Sequence, residues 1–251
     1  MIPPELKLLL LTFTGFAAGF INIFAGGGST LTLPALIFFG LDTATANGSN
    51  RIALLIQNIS AATGFHQKKV RSLKRAMLFA AFTLPGAIAG AFFSTKIPDV
   101  WFQRILALVM VGVIITFFIN KDYSLFNAGH ERERPSLLFY TALFGIGFYG
   151  GFIQVGVGFI LMATLYNFLH TSLVKVNYYK IVIVLFYTIP ALAVFILSDK
   201  VNWTAGLAMA AGNAAGGWLA ARVQVKRGDK LIRYVLAVAI FIMAVKLFWQ
   251  L

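Results

Sequence analysis

Apolar runs long enough to cross a bilayer follow one another along most of this chain, at about 6–25, 46–65, 76–95, 101–120, 137–158, 176–197, 203–221 and 231–250. A helix that crosses the hydrocarbon core needs roughly 20 mostly apolar residues. Within lipid its backbone must satisfy its own hydrogen bonds. The expected fold class is therefore an all-α integral membrane protein, a polytopic helical bundle. Composition agrees, since 12% of residues are charged against about 25% in an ordinary soluble domain. A net charge of +13 would suggest nucleic acid if the chain were soluble. Here the basic residues cluster in short connections between apolar runs, so no nucleic-acid partner is expected.

Two shorter apolar runs, 29–40 and 159–170, follow glycine-rich breaks. Twelve helical residues rise about 18 Å, well short of the roughly 30 Å core, so these are expected to be half-helices in broken or re-entrant hairpins. The first run could be read as a signal peptide with Lys7 as its charged flank. The polar glycine break after it offers no cleavage site, and further membrane segments follow.

The chain reads as a tandem duplication: residues 1–120 form a first membrane repeat, 121–136 a polar connecting loop and 137–251 a second repeat. A shift of 130 lays Gly26-Gly27-Gly28 over Gly156-Val157-Gly158, and Asn47 and Asn50 over Asn177 and Lys180. A slightly different offset lays Gly86 and Gly90 over Gly212 and Gly216. Orientation follows from lysine and arginine counts, since cytoplasmic loops carry the excess. With eight crossings and parallel repeats, 11 basic residues fall inside and 8 outside. If each glycine break is the apex of a returning hairpin, the second repeat is inverted and the tally becomes 14 against 5. Inverted repeats with both termini outside the cytoplasm are therefore expected.

Glycine-rich backbone at membrane depth must be buried in protein or line a cavity. The half-helix beginning near Ser29 and Thr30 offers free N–H groups and a positive dipole end, suited to an anion. On the next helix Asn47, Arg51 and Asn58 share one face, with Asn50 at its edge and Gln57 further round. Asn177, Lys180 and Thr188 occupy the corresponding face of the second repeat. Arg51 and Lys180 lie about a turn inside apolar runs with no acidic neighbour in sequence. A cation buried in that way usually marks a pathway. All eight acidic residues (Glu5, Asp42, Asp99, Asp122, Glu131, Glu133, Asp199 and Asp229) sit in termini or connections. With His66, His130 and His170 scattered and no cysteine, no metal, cofactor or enzyme chemistry is expected. Gly86/Gly90 and Gly212/Gly216 read as close helix packing, Pro85 and Pro190 as helix kinks, and Trp101, Trp203 and Trp249 as interfacial anchors.

Gly19–Gly28, then Leu33-Pro34-Ala35-Leu36, then Ala46-Asn47-Gly48-Ser49-Asn50-Arg51 resemble the first-repeat signature of the sulfite exporter TauE/SafE family. Gly151–Gly158 and Val176–Lys180 resemble its second-repeat signature, and Val201-Asn202-Trp203 its usual loop before the later helices. The second repeat departs from the pattern, with a reduced glycine run and Thr164 where Pro34 stands in the first. The resemblance implies a carrier for sulfite, sulfoacetate or related small sulfur-containing anions in a bacterial cell membrane.

The expectation is a secondary transporter that exports such an anion by alternating access, with a passive anion channel or a carrier of another oxyanion as the alternatives. Arg51 and Lys180 would neutralise the anion; Asn47, Asn50, Asn177, Ser29 and Thr30 would donate hydrogen bonds. Amides after Gly28 and Gly158, in the breaks Gly26-Gly27-Gly28 and Gly156–Gly158, would complete the cage. Asn22, Gln57, Asn58, Gln154, Tyr178 and Thr188 are secondary candidates. Partners left open are a homodimer and a coupling ion. Protons could travel by Asp42 or His170 at the hairpin exits, or Na⁺ could use carbonyls at the glycine breaks.

Overall fold

The structure, a computed structural model, describes residues 3–67, 73–119 and 135–227. The eighth apolar run with Trp249, positions 121–134 of the connecting loop, and Lys68, Lys69 and Arg71 lie outside the described residues. Among the described residues the chain forms nine helices: α1 (Pro4–Ala25), α2 (Ser29–Phe38), α3 (Thr43–Gln67), α4 (Leu73–Lys96), α5 (Asp99–Ile119), α6 (Leu137–Phe152), α7 (Val157–Leu169), α8 (Leu173–Leu197) and α9 (Trp203–Arg227). The spans Glu5–Phe24, Leu73–Lys96 and Leu173–Leu197 are each long and apolar enough to cross a bilayer. Helix α2, at 10 residues, rises about 15 Å and is too short to do so. Trp101 and Trp203, near the starts of α5 and α9, are exposed, as interfacial anchors would be. Pro85 and Pro190 lie inside helices that continue through them.

Local chemistry sets the helix ends. Gly26 closes α1 in the left-handed region at φ +85°, its N–H donating to the Asn22 carbonyl at 2.8 Å. Asp42 caps α3 by accepting from the Thr45 amide at 3.1 Å, and its carboxylate lies 3.6 Å from Lys200. Burial pushes this carboxyl up, but the bonds from Thr45 and the Lys200 charge outweigh that and hold it below its ordinary value. Asn202 caps α9 through the Ala205 amide. Asp99, at the start of α5, accepts from both the amide and the hydroxyl of Thr43.

The second break differs from the sequence expectation. Helix α6 stops at Phe152, not at 158, and α7 starts at Val157 with Gly156 as its cap at φ +74°. Gln154 at φ +65° turns the chain two residues before the first of the expected glycines.

Glycines then decide which helices meet. A Cβ on Gly212 would lie 1.9 Å from the Thr12 carbonyl oxygen, and one on Gly216 2.1 Å from that of Phe16. From the other side, a Cβ on Gly15 or Gly19 would strike the backbone of Met209 or Asn213. The same reciprocal fit joins α4 to α6, with Gly86 and Gly90 against Phe144 and Phe148, and Gly147 and Gly151 against Thr83 and Ala87. Such backbone contact supplies the dispersion energy that holds helices together where no hydrophobic effect acts between them.

Contact order along each pair gives direction. Helices α1 and α9 run parallel, since Thr12 lies beside Gly212 and Phe20 beside Gly216. So do α3 and α9, with Ser49 beside Gly206 and Gly64 beside Ala221. Helix α8 runs with α4, from the Phe79–Tyr179 ring contact to the Ala91–Ala191 cluster. Against α3 it runs the opposite way, with Gly48 near Lys200 and Phe65 near Tyr178. Two bundles result: α1, α3 and α9 in one, and α4, α6 and α8 in the other, meeting mainly along α3 and α8.

Candidate functional site

The two chain breaks touch. A Cβ on Gly26 would lie 2.3 Å from the Gly158 backbone, and one on Gly158 2.3 Å from Gly26 Cα. Beside this contact lies a cavity of about 10 Å³, lined by Asn22 and Ile23 from the last turn of α1, Gly26 from the first break, Gln154 from the second, Ser29 and Gly158 from the first turns of α2 and α7, Asn58 from α3, and Lys180 and Val184 from α8. That volume suits about one water molecule.

The start of each half-helix supplies a donor. The amides of Thr30, Leu31 and Thr32 turn back onto the Gly27 and Gly28 carbonyls, and that of Gly28 donates to Asn22 Oδ1 at 3.3 Å. The amides of Ser29 and Gly158 make no hydrogen bond among the described residues. Both residues line the cavity. Each is a helix N-terminal group of the kind that favours negative charge.

Lys180 is buried. Its Nζ donates to the carbonyls of Asn22 at 2.9 Å and Ile23 at 3.0 Å, and reaches Met162 Sδ at 3.6 Å. It thus sits at the negative, C-terminal end of α1, and the residue lines the cavity. Arg51, fully buried, does the same for α6. Its Nη1 donates to Gly150 O at 3.1 Å and Gln154 Oε1 at 3.2 Å, and its Nη2 to Gly151 O at 2.5 Å and Asn47 Oδ1 at 3.5 Å. The guanidinium also lies 4.9 Å from the Phe195 ring centroid. Each cation therefore reaches from the helix by which one bundle meets the other to a helix end in that other bundle. Arg51 stands behind Gln154 and does not line the cavity.

Of the other sequence candidates, Asn47 works beside Arg51, its amide donating to Phe152 O at 2.8 Å and Ser94 Oγ at 3.0 Å. Thr30 spends its hydroxyl on Gly27 O at 2.6 Å. Gly28 packs against Ala18 and Asn22, and Gly156 caps α7. Asn50, Gln57, Asn177 and Thr188 are buried outside the cavity wall, with side-chain polar atoms that find no partner among the described residues. Tyr178 faces away, into an apolar cleft with Val182 and Phe186. Sequence reasoning missed Tyr187, which accepts from Gln154 Nε2 at 2.9 Å. The available signal was its position seven residues after Lys180, within about 20° on the same helix face. His170 caps α7 at φ +51°.

Comparison with known proteins supports a helical membrane protein. The family profile "Sulfite exporter TauE/SafE" matches residues 11–247. The chain is 30% identical over 251 residues to "Probable membrane transporter protein YfcA" of Escherichia coli (strain K12), covering all of this chain and 92% of that protein. It is 27% identical over 249 residues to "Probable membrane transporter protein" of Haemophilus influenzae, covering 97% and 95%. With "Probable membrane transporter protein YunE" of Bacillus subtilis it shares 23% over 270 residues, 98% of each. No solved structure matches the chain. A helical membrane chain matched by one profile over nearly its whole length, and spanning more than nine-tenths of relatives that are named transporters, belongs to the sulfite exporter TauE/SafE family of membrane transporters.

Proposed function

We propose that this transporter exports a small sulfur-containing anion, such as sulfite, sulfoacetate or a related organosulfonate, across the cell membrane by alternating access. One observation carries the reading: two unbonded helix N-terminal amides, of Ser29 and Gly158, share a cavity with the buried Lys180 ammonium. A sulfur oxyanion offers several acceptor oxygens to such donors. Charge-assisted bonds are worth roughly 1.5–3 kcal/mol each, so a few offset its dehydration.

In this reading residues 1–120 and 137–251 are inverted repeats joined by 121–136, with both termini outside the cytoplasm. Supporting it are the reciprocal glycine contacts of α1 with α9 and α4 with α6, and the opposed directions of the two bundles. The cavity holds about one water, so an oxyanion enters only when the bundles part. That motion suits a carrier.

The test is a panel of sulfite, sulfate, sulfoacetate and taurine, each assayed for stabilising the purified protein against heating and for flux into proteoliposomes. A ligand that binds the native form raises its apparent melting temperature. Lys180→Ala should remove both the stabilisation and the flux. If no anion stabilises the native protein, or Lys180→Ala transports undiminished, the reading fails. Unitary currents would instead identify a channel.

A further inference from the structure

Resting on that reading, we infer that Asn22 and Gln154 are the paired amide donors to the anion, each turned the right way round by a donor behind it. For Gln154 that donor is Arg51, which makes Arg51 a positioning residue and not an anion ligand.

A carboxamide has two ends of opposite polarity, and only the NH₂ end suits an anion. Gln154 lines the cavity at φ +65°, a left-handed conformation that side chains disfavour. Its side chain is fixed at both ends: Oε1 accepts from Arg51 Nη1 at 3.2 Å and Nε2 donates to Tyr187 Oη at 2.9 Å. Arginine can only donate. A flipped amide would set NH₂ against guanidinium, so Arg51 holds the oxygen on its own side and leaves the NH₂ on the other. One hydrogen of that NH₂ goes to Tyr187; the second has no partner among the described residues.

The first break repeats the device. Asn22 lines the same cavity, and its Oδ1 accepts from the Gly28 amide at 3.3 Å, which leaves its NH₂ free to face inward. Gln154 follows Asn22 by 132 positions, the interval that also separates Gly15 from Gly147 and Gly19 from Gly151 in the matched helix contacts. The two amides therefore occupy corresponding positions in the sequence, Asn22 in the last turn of α1 and Gln154 just past the end of α6. Arg51 supplies in the second what a backbone N–H supplies in the first. The arrangement rejects cations by polarity alone, before Lys180 acts.

Gln154→Glu and Asn22→Asp test the idea, because each keeps the oxygen that accepts from Arg51 or Gly28 and replaces the inward NH₂ with a carboxylate oxygen. With sulfite and sulfoacetate as probes, each variant should weaken the apparent Kd from ligand-dependent melting at least about ten-fold, with the unliganded melting temperature near wild type. Arg51→Gln should raise the KM for flux, yet add nothing in a Gln154→Leu background. Multiplying losses in that pair would mean that Arg51 touches the anion itself, and would overturn its positioning role. Wild-type affinity in Gln154→Glu would overturn the assignment of that amide, and Asn22→Asp carries the same test if the first variant does not fold. These outcomes differ from failure of the anion reading, in which the wild-type protein itself responds to neither probe.

Discussion

Gly26 shows how little freedom the centre of the molecule has. Its φ of +85° disfavours any side chain, and a Cβ would sit 2.3 Å from the Gly158 backbone. Gly26→Ala should therefore destabilise by at least about 1–2 kcal/mol from the left-handed backbone alone, with more from prising the breaks apart. Gly145→Ala in α6, where a Cβ meets nothing within 4 Å, should be neutral or slightly stabilising. Melting of the two variants side by side checks the contrast, and equal midpoints would refute it. At this scale the sequence carried the cations well: an unpaired Arg51 or Lys180 inside an apolar run is costly enough to demand a reason. What it could not carry was the partner of each. The carbonyls of Ile23, Gly150 and Gly151 lack a helical donor only because α1 and α6 end there, and that of Asn22 accepts from Lys180 in addition to the Gly26 amide.

The helices themselves were legible because apolar length is a strong signal, and every described run became a helix close to its expected place. The second break was misplaced because Gly156-Val157-Gly158 looks like the site of interruption. The chain leaves the helix earlier, where Arg51 and Asn47 draw off the carbonyls of Gly150, Gly151 and Phe152. Neither residue is near that turn in sequence. Asp42 gives a prediction at the same scale. Its carboxylate caps α3 and is held below its ordinary value, so its contribution is full above about pH 4 and fades as pH falls through the lowered value. Asp42→Ala should cost about 1 kcal/mol at neutral pH. Asp42→Asn keeps the cap but should lose less stability than wild type between pH 5 and about pH 3. Acid-melting curves of identical slope for wild type and Asp42→Asn would contradict this.

Across the whole molecule, the sequence repeats suggested two halves, but not that the halves exchange helices. Helix α4 packs with α6 and α8, and α9 with α1 and α3, because the glycine faces that fit one another lie on opposite sides of the connecting loop. If the two bundles move as bodies, a bond across α3 and α4 should stop transport while one inside a bundle should not. The chain has no cysteine, so single pairs can be introduced cleanly. Oxidised Asn47→Cys/Ser94→Cys, at a contact of 3.0 Å between the native side chains, should block sulfite flux and recover on reduction. Gly64→Cys/Ala221→Cys, between α3 and α9, where a Cβ at Gly64 would lie 3.0 Å from that of Ala221, should leave flux intact when oxidised. Flux that survives the first bond or dies with the second would exclude this motion.

The exchange also imposes an order on biogenesis. The grooved flank of α1 is synthesised nearly 200 residues before α9, whose backbone fills it. Until α9 emerges, that flank has only lipid or the insertion machinery for company. A truncated product lacking α9 would keep its hydrophobic spans yet expose a bare glycine seam, and quality-control proteases should clear it faster than the full-length chain.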